Sequence, residues 1–441
     1  MAAVRSQPTR ILVVGGGYVG MYTALRLQSK LKAGEASVTV VDPQPHMTYQ
    51  PFLPEAAAGS IEPRHVVVPL RKALKRCHVL TGRVTKISHA DKTATVELPD
   101  GHVEELGYDV LVSALGSVAR TLPIPGLAER GIGFKTVGEA ILLRNHVLSR
   151  MDLAATTVDP ELRRKLLTFV VIGGGYAGIE ALAELEDMSR YATRYYENIK
   201  PQDMRWVLVE ATGRVMPEVS PRMGVYTVER LQERGIQVYL DTRVKSMVDG
   251  HVVLDDGTEF DSETIIWTAG VKANPVLENT DLPRDSRGRV RCTSTTQIEG
   301  LRDAWSAGDC SAVPDLAKIE QDPQATCSPS AQHAVRQARQ MADNIVAVLR
   351  GKQPKPYRHK HVGSVASLGL YRGVAELFGV RVKGFPAWFI HRTYHMSRMP
   401  TFNRKFRIVM DWTLALLFRR EVVSLGQIND PKADFVRAAR S

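Results

Sequence analysis

The chain has 441 residues, too many for one ordinary domain, and about two to three domains is the natural expectation. Its 44% hydrophobic and 24% charged composition excludes a disordered or membrane-spanning class. A net charge of +11 calls for an anionic partner, either nucleic acid or a phospholipid surface.

No apolar run occupies Met1–Arg10, so a signal peptide is not expected and the chain is placed in the cytoplasm. Ile11–Val14 then reads as a short strand, Gly15-Gly16-Gly17-Tyr18-Val19-Gly20 as a turn, and the stretch through Leu25 and Leu27 as a helix. Ser37–Val41 is a second strand, closed by Asp42. A hairpin is expected where Pro99-Asp100-Gly101 separates Ala94–Leu98 from the next strand.

The opening pattern then returns. Phe169–Ile172 leads into Gly173-Gly174-Gly175-Tyr176-Ala177-Gly178, a helix, and the strand Trp206–Val209 closed by Glu210. A second hairpin is expected around Asp255-Asp256-Gly257. This is an internal repeat of a whole βαβ unit. Beyond Arg350, Gly351–Pro356 reads as a linker.

Each turn is a G-x-G-x-x-G match between an apolar strand and a helix. In that setting the glycines admit a pyrophosphate to the backbone, and the helix N-terminus supplies N–H groups. A carboxylate closing the next strand is placed to bond ribose hydroxyls. Asp42 lies 22 residues after Gly20, near the usual spacing of about 20. Glu210 lies 32 after Gly178, which implies an insertion, placed in the polar stretch Met188–Gln202. Two dinucleotide sites in one chain imply two dinucleotides in one reaction: a held flavin in the first and an exchangeable nicotinamide in the second. A carboxylate at Glu210 favours NADH over NADPH, although Arg205 and Arg214 lie close in sequence.

From about Arg10 to beyond Arg420 the chain resembles the two-dinucleotide-binding flavoprotein oxidoreductases, and within them the type II NADH:quinone dehydrogenases. The resemblance is carried by the two turns, by Asp42–Glu55 (the segment beneath the flavin), and by Tyr108–Gly116. Trp267–Lys272, Ala307-Gly308-Asp309 and the Ala-Gln-x-Ala motif at Ala331–Arg336 complete it. It implies FAD held by Gly15, Gly17, Gly20, Asp42, Ala114, Gly116, Asp309 and Ala331. NADH would be held by Gly173, Gly175, Gly178, Glu210 and Gly270. Glu180 and Gln332 would be catalytic, with Gln332, Arg336 and Gln337 against the quinone. Many relatives have Gln where this chain has Arg336, which leaves the second quinone contact open between Arg336 and Gln337.

The stretch Met47–Pro54 has no cysteine, so a dithiol relay beside the flavin is not expected and electrons pass directly to the acceptor. The four cysteines, Cys77, Cys292, Cys310 and Cys327, form no C-x-x-C pair, so neither a disulfide framework nor a metal site is expected. A sulfide:quinone reductase using Cys310 and Cys327 is the nearest rival. A basic redox sensor binding nucleic acid is the rival from another class.

Residues 381–420 interleave Phe385, Trp388, Phe389, Tyr394, Phe402, Phe406, Trp412 and Phe418 with Lys and Arg, and Asp411 is their one acidic residue. No stretch reaches the roughly 20 apolar residues of a membrane span. The segment therefore reads as a surface for an anionic membrane, where the quinone resides. The expected architecture is α/β, two Rossmann-like dinucleotide-binding domains with a C-terminal membrane-binding region. The boundaries are 1–125 and 286–350 for FAD, 126–285 for NADH, and 351–441 for membrane association or a homodimer contact. The enzyme would sit peripherally on the cytoplasmic face of the cell membrane and pump no protons.

Overall fold

Two five-stranded parallel sheets of matching layout organise the chain, whose computed structural model describes residues 8–359, 363–425 and 432–440. In the first sheet Thr9–Val14 is central. Ala36–Asp42 and then His78–Thr81 lie on one side, Val110–Ser113 and Ala304–Ser306 on the other. In the second, Thr168–Ile172 is central, with Arg205–Val209 and Gln237–Tyr239 on one side. Thr264–Trp267 and Gly131–Gly133 lie on the other. A parallel sheet covered on both faces needs strands that are apolar throughout. Ile11–Val14, Val110–Ser113 and Thr168–Ile172 are accordingly buried residue after residue.

By packing, one unit comprises residues 1–48, 68–118 and 271–361, and the other residues 49–67, 119–270 and 362–441. The first contains the hairpin Thr93–Glu97 with Val103–Gly107, closed by the bond from Leu98 N–H to His102 O. The second contains its counterpart, His251–Leu254 with Glu259–Asp261. Both hairpins fall where the turn residues place them.

Three expectations need adjustment. The stretch Met188–Gln202 is only partly an insertion. The helix Tyr176–Ala192 runs on through Met188 and Ser189, both fully buried, before two 3-10 turns take over. Gly351–Pro356 is not a loose linker, because Asn344 bonds both the N–H and the carbonyl of Lys355, and Tyr357 N–H donates to Ser294 O. The segment Tyr49–Val67, read with the flavin half, belongs to the second unit, where Glu55 meets Arg392 and Trp412. That unit ends in an antiparallel sheet, Gly363–Ser367, Gly373–Leu377 and Val380–Lys383, followed by the helices Gly384–Arg398 and Phe402–Phe418.

Arg234 fixes the far end of the helix Tyr176–Ala192. Its guanidinium donates to Glu186 and Asp187 and to the carbonyls of Ala183 and Leu368. Glu186 is fully buried, and without Arg234 it is left with Arg190 as its one cation while Asp187 loses its nearest one. Arg234→Met is expected to destabilise the second unit by about 3–5 kcal/mol, read as an earlier transition in urea followed by Trp fluorescence.

Candidate functional site

In the first unit the chain leaves Thr9–Val14 through Gly15, whose φ of 104° is open to glycine alone among the ordinary residues. A Cβ there would stand 2.3 Å from Ala114 O. A Cβ at Gly20 would stand 1.7 Å from Gly15 O, so the third glycine is what lets the helix Tyr18–Lys30 sit on the turn. Gly17 differs: nothing lies within 4 Å of its missing Cβ, and the helix start has no side-chain cap. That open, uncapped approach suits a pyrophosphate. Asp42 accepts from Gly16 N–H at 2.6 Å and Gln44 N–H at 2.7 Å. Burial raises its carboxyl above the ordinary value, opposed by those two bonds.

The remaining residues expected to hold the flavin lie in the same unit. Ala114 N–H bonds Val14 O, and Gly116 follows with φ 65°. Asp309 accepts from the Ser117 hydroxyl at 2.7 Å. Ser330 caps the helix Ala331–Leu349 by accepting from His333 N–H, which makes Ala331 its first residue.

That helix separates the three quinone candidates. Gln332 and Arg336 are half-buried, and Arg336 donates to the Gln332 carbonyl at 3.1 Å, with the Gln332 side-chain oxygen at 3.5 Å. Gln337 faces the core instead, 1% exposed, its side-chain oxygen accepting from Gly308 N–H at 2.8 Å. It braces the turn that carries Asp309.

The second unit repeats the first. Gly173 has φ 110°, and its Cβ would meet Thr268 at 2.8 Å. A Cβ on Gly178 would stand 1.9 Å from Gly173 O, while Gly175 again faces open space above an uncapped helix start. Glu210 accepts from Gly174 N–H at 2.5 Å and from the Thr212 N–H and hydroxyl at 2.8 and 2.7 Å. Gly270, with φ 92°, ends the returning strand as Gly116 does in the first unit. The two arginines are engaged elsewhere. Arg214 donates to the carbonyls of Pro217 and Val219, and Arg205 bonds Gln237 and lies over the Phe260 ring.

Glu180, in the first turns of the helix Tyr176–Ala192, accepts from Ser367 N–H at 2.9 Å and lies 3.0 Å from His391 Nε2. Around it the second unit buries groups that sequence reasoning missed. Glu184, one turn on, is fully buried and accepts from the Ser367 hydroxyl at 3.2 Å. Burial raises its carboxyl to about 7, with Arg420 opposing. Glu55 accepts from Trp412 Nε1 at 2.8 Å and pairs with Arg392 at 2.7 Å. The only sequence signal was the i, i+4 spacing of Glu180 with Glu184 inside the otherwise apolar stretch 176–185.

The cysteines are free, and three are buried. Burial raises the thiols of Cys327 and Cys77 to about 11 and lifts that of Cys292 well above its ordinary value. Cys310 points its thiol at the carbonyls of Ala307 and Ser113. The three buried cysteines serve as small core residues.

Residues 9–338 match the pyridine nucleotide-disulphide oxidoreductase family. The chain is 29% identical over 426 residues to the type II NADH:quinone oxidoreductase Ndh of Mycobacterium tuberculosis, spanning 93% of this chain and 89% of that protein. It is 30% identical over 389 residues to the type II NADH:quinone oxidoreductase of Staphylococcus epidermidis, spanning 87% and 93%. In fold it is similar to NDH2 from Plasmodium falciparum in complex with NADH. The TM-score is 0.86 at 16% identity, over 94% of this chain and 99% of that one.

The paired turns give a test that separates folding from binding. Gly175→Ala adds a methyl group to open space and is expected to leave the melting temperature unchanged while weakening dinucleotide binding at least tenfold. Gly178→Ala collides with backbone and is expected to lower the melting temperature as well. Differential scanning calorimetry beside a dinucleotide titration reads both outcomes.

Proposed function

The chain belongs to the pyridine nucleotide-disulphide oxidoreductase family and, within it, to the type II NADH:quinone oxidoreductases, and from that membership we propose how its own residues divide the work. It is a flavoenzyme that passes electrons from NADH through FAD to a quinone without pumping protons. FAD, when bound, supplies a centre that takes hydride from NADH and gives two electrons to a quinone.

The observation that carries the assignment of residues is the duplicated turn. In each unit a carboxylate bonds the N–H of the middle glycine, and the next glycine faces open space. FAD is read against Gly15, Gly17, Gly20 and Asp42, with Ala114, Gly116, Asp309 and Ala331 completing its site. NADH is read against Gly173, Gly175, Gly178, Glu210 and Gly270. Glu210 repels a 2′-phosphate, and the neighbouring arginines are tied to other partners, so NADH is preferred over NADPH.

On the acceptor side, Gln332 offers a neutral amide to a quinone carbonyl, and Arg336 both holds Gln332 and adds positive charge beside it. Gln337 positions the Asp309 turn and is not read as a direct quinone contact. Glu180 supplies a proton to the reduced quinone. The raised thiol of Cys327 and the buried, carbonyl-facing thiol of Cys310 weigh against the sulfide-oxidising alternative.

The C-terminal helices are read as the surface that meets an anionic membrane on its cytoplasmic face, with a second copy of the chain as a further partner and nucleic acid set aside. In Phe402–Phe418 only Ile408 is buried, and Phe402, Phe406, Met410, Leu414 and Leu417 lie exposed along one face. Asp411 is turned inward to His65 at 2.6 Å, which leaves Arg404, Lys405 and Arg407, all basic and none fully buried, as the other charges of this helix. No described helix is long and apolar enough to cross a membrane.

Gln332→Ala is expected to slow flavin reoxidation by a short-chain quinone by roughly five- to a hundred-fold, the loss of about 1–3 kcal/mol for one buried contact. Flavin reduction by NADH stays unchanged, and stopped-flow measurement of each half-reaction decides the point. For the membrane surface, Phe406→Asp together with Leu414→Asp is expected to abolish flotation with anionic vesicles, and salt is expected to weaken binding of the unchanged protein. A protein that ignores such vesicles at low salt overturns the membrane reading.

A further inference from the structure

The two glycine turns share one bonding pattern, and the second adds a hydroxyl to it. In the first unit the Asp42 carboxylate accepts from Gly16 N–H and, through its other oxygen, from Gln44 N–H two residues on. In the second unit Glu210 accepts from Gly174 N–H through Oε2 and from Thr212 N–H through Oε1, again two residues on. There the side chain joins in as well. The Thr212 hydroxyl donates to the same Oε1 at 2.7 Å.

This extra bond answers a difference in side-chain length. A glutamate carboxylate turns about one more bond than an aspartate carboxylate, so two backbone N–H groups fix it less firmly. A hydroxyl donating to an ionised oxygen makes a charge-assisted bond, stronger than a neutral one. It fixes the carboxylate without neutralising it, as an arginine or lysine in its place would. The Arg214 carbonyl is also within reach of the Thr212 hydroxyl, at 3.1 Å, but the single proton goes to the nearer, charged Glu210 oxygen. Thr212 is itself held. Its carbonyl accepts from Asp241 N–H at 3.1 Å, and the Glu210 carbonyl accepts from Thr242 N–H at 3.0 Å.

A carboxylate offers about four acceptor positions. Gly174 N–H and the two Thr212 donors occupy three of them, which leaves roughly one, on Oε2, for a ribose hydroxyl. We propose, on the reading that Glu210 meets the ribose of NADH, that Thr212 is the positioning residue for cofactor choice. Its hydroxyl keeps the Glu210 carboxylate in one orientation, with the remaining acceptor available to the ribose and the full charge set against a 2′-phosphate. Without that hydroxyl the side chain turns more freely. NADH then loses a preorganised partner, and the repulsion of NADPH eases.

Thr212→Val keeps the shape of an exposed side chain and removes only the hydroxyl. Flavin content and melting temperature are expected to match the parent. In stopped-flow reduction of the flavin-loaded, full-length enzyme, the NADH concentration giving half-saturation is expected to rise about tenfold, as for one lost bond to a charged group. The limiting rate stays at the parent value. Half-saturation by NADPH is expected to stay level or fall, so the preference for NADH drops by about tenfold or more. Calorimetric titration with NAD+ and NADP+, which leave the flavin oxidised, should show the same shift without turnover. Thr212→Ser keeps the hydroxyl and is expected to keep the preference.

An unchanged preference in Thr212→Val overturns the positioning role. So does a loss that falls equally on NADH and NADPH, or one that Thr212→Ser shares, since a structural defect of the loop behaves that way. Glu210→Ala runs alongside, alone and combined with Thr212→Val. If Glu210→Ala keeps the preference, the selecting role of Glu210 is itself wrong and that of Thr212 falls with it. If Glu210→Ala loses the preference while Thr212→Val keeps it, only the role of Thr212 fails. In the Glu210→Ala background Thr212→Val is expected to add nothing, because the hydroxyl acts through that carboxylate. A further loss of preference there overturns the proposal.

Discussion

A pyrophosphate can approach a backbone only where no Cβ stands in the way, and this exclusion dictates the architecture of both units. The first glycine of each turn passes so close to the end of the returning strand that a side chain would strike Ala114 in one unit and Thr268 in the other. The returning strand must therefore lie beside the first strand, and both sheets have it there. The third glycine brings the helix down onto the first glycine's carbonyl, which aims the helix start at the gap left above the second. The carboxylates of Asp42 and Glu210 then draw in the N–H of the intervening glycine and fix the turn from the opposite side. Strand order, helix placement and the acidic residue are three consequences of one steric demand, which is why they recur together in the two halves of the chain.

Features that depend on neighbours in sequence were legible, and those that depend on distant partners were not. The turns, their carboxylates and both hairpins are local, and each appears where its residues place it. Gln337 shows an intermediate case. Its helix buries Ala334, Ala338, Met341 and Ile345, and Gln337 falls in phase with them. The 3.6-residue period thus marked it as inward-facing, although its amide invited a reading as a ligand contact. Only the tertiary bond to Gly308 explains how a polar side chain is tolerated there. No local pattern pairs Glu55 with Arg392 or Glu184 with Arg420. Those contacts join residues hundreds of positions apart, and they carry the segment Tyr49–Val67 into the second unit.

The cost of these buried pairs bears on why they are there. Taking carboxylates and guanidinium groups out of water costs several kcal/mol for each ion, and a well-packed apolar set of the same volume is often as stable or more so. Arg392 recovers part of that cost by lying over Trp388 and Trp412 at 4.2 and 4.8 Å, and Arg420 by facing Glu184. Even so, Glu55, Glu180, Glu184 and Glu186 place four carboxyl groups in the interior of one unit, and stability alone gives no reason for that choice. Burial raises one of them to about 7, where a carboxyl exchanges its proton under ordinary conditions. Interior groups tuned to that range are characteristic of sites that handle protons. The helix that begins at the second glycine turn also carries Glu180 and Glu184, so one rigid element joins the turn proposed for NADH to the buried carboxyl groups. The proposed reaction, a two-electron reduction that also consumes a proton, draws on both, and one helix holds them in fixed register.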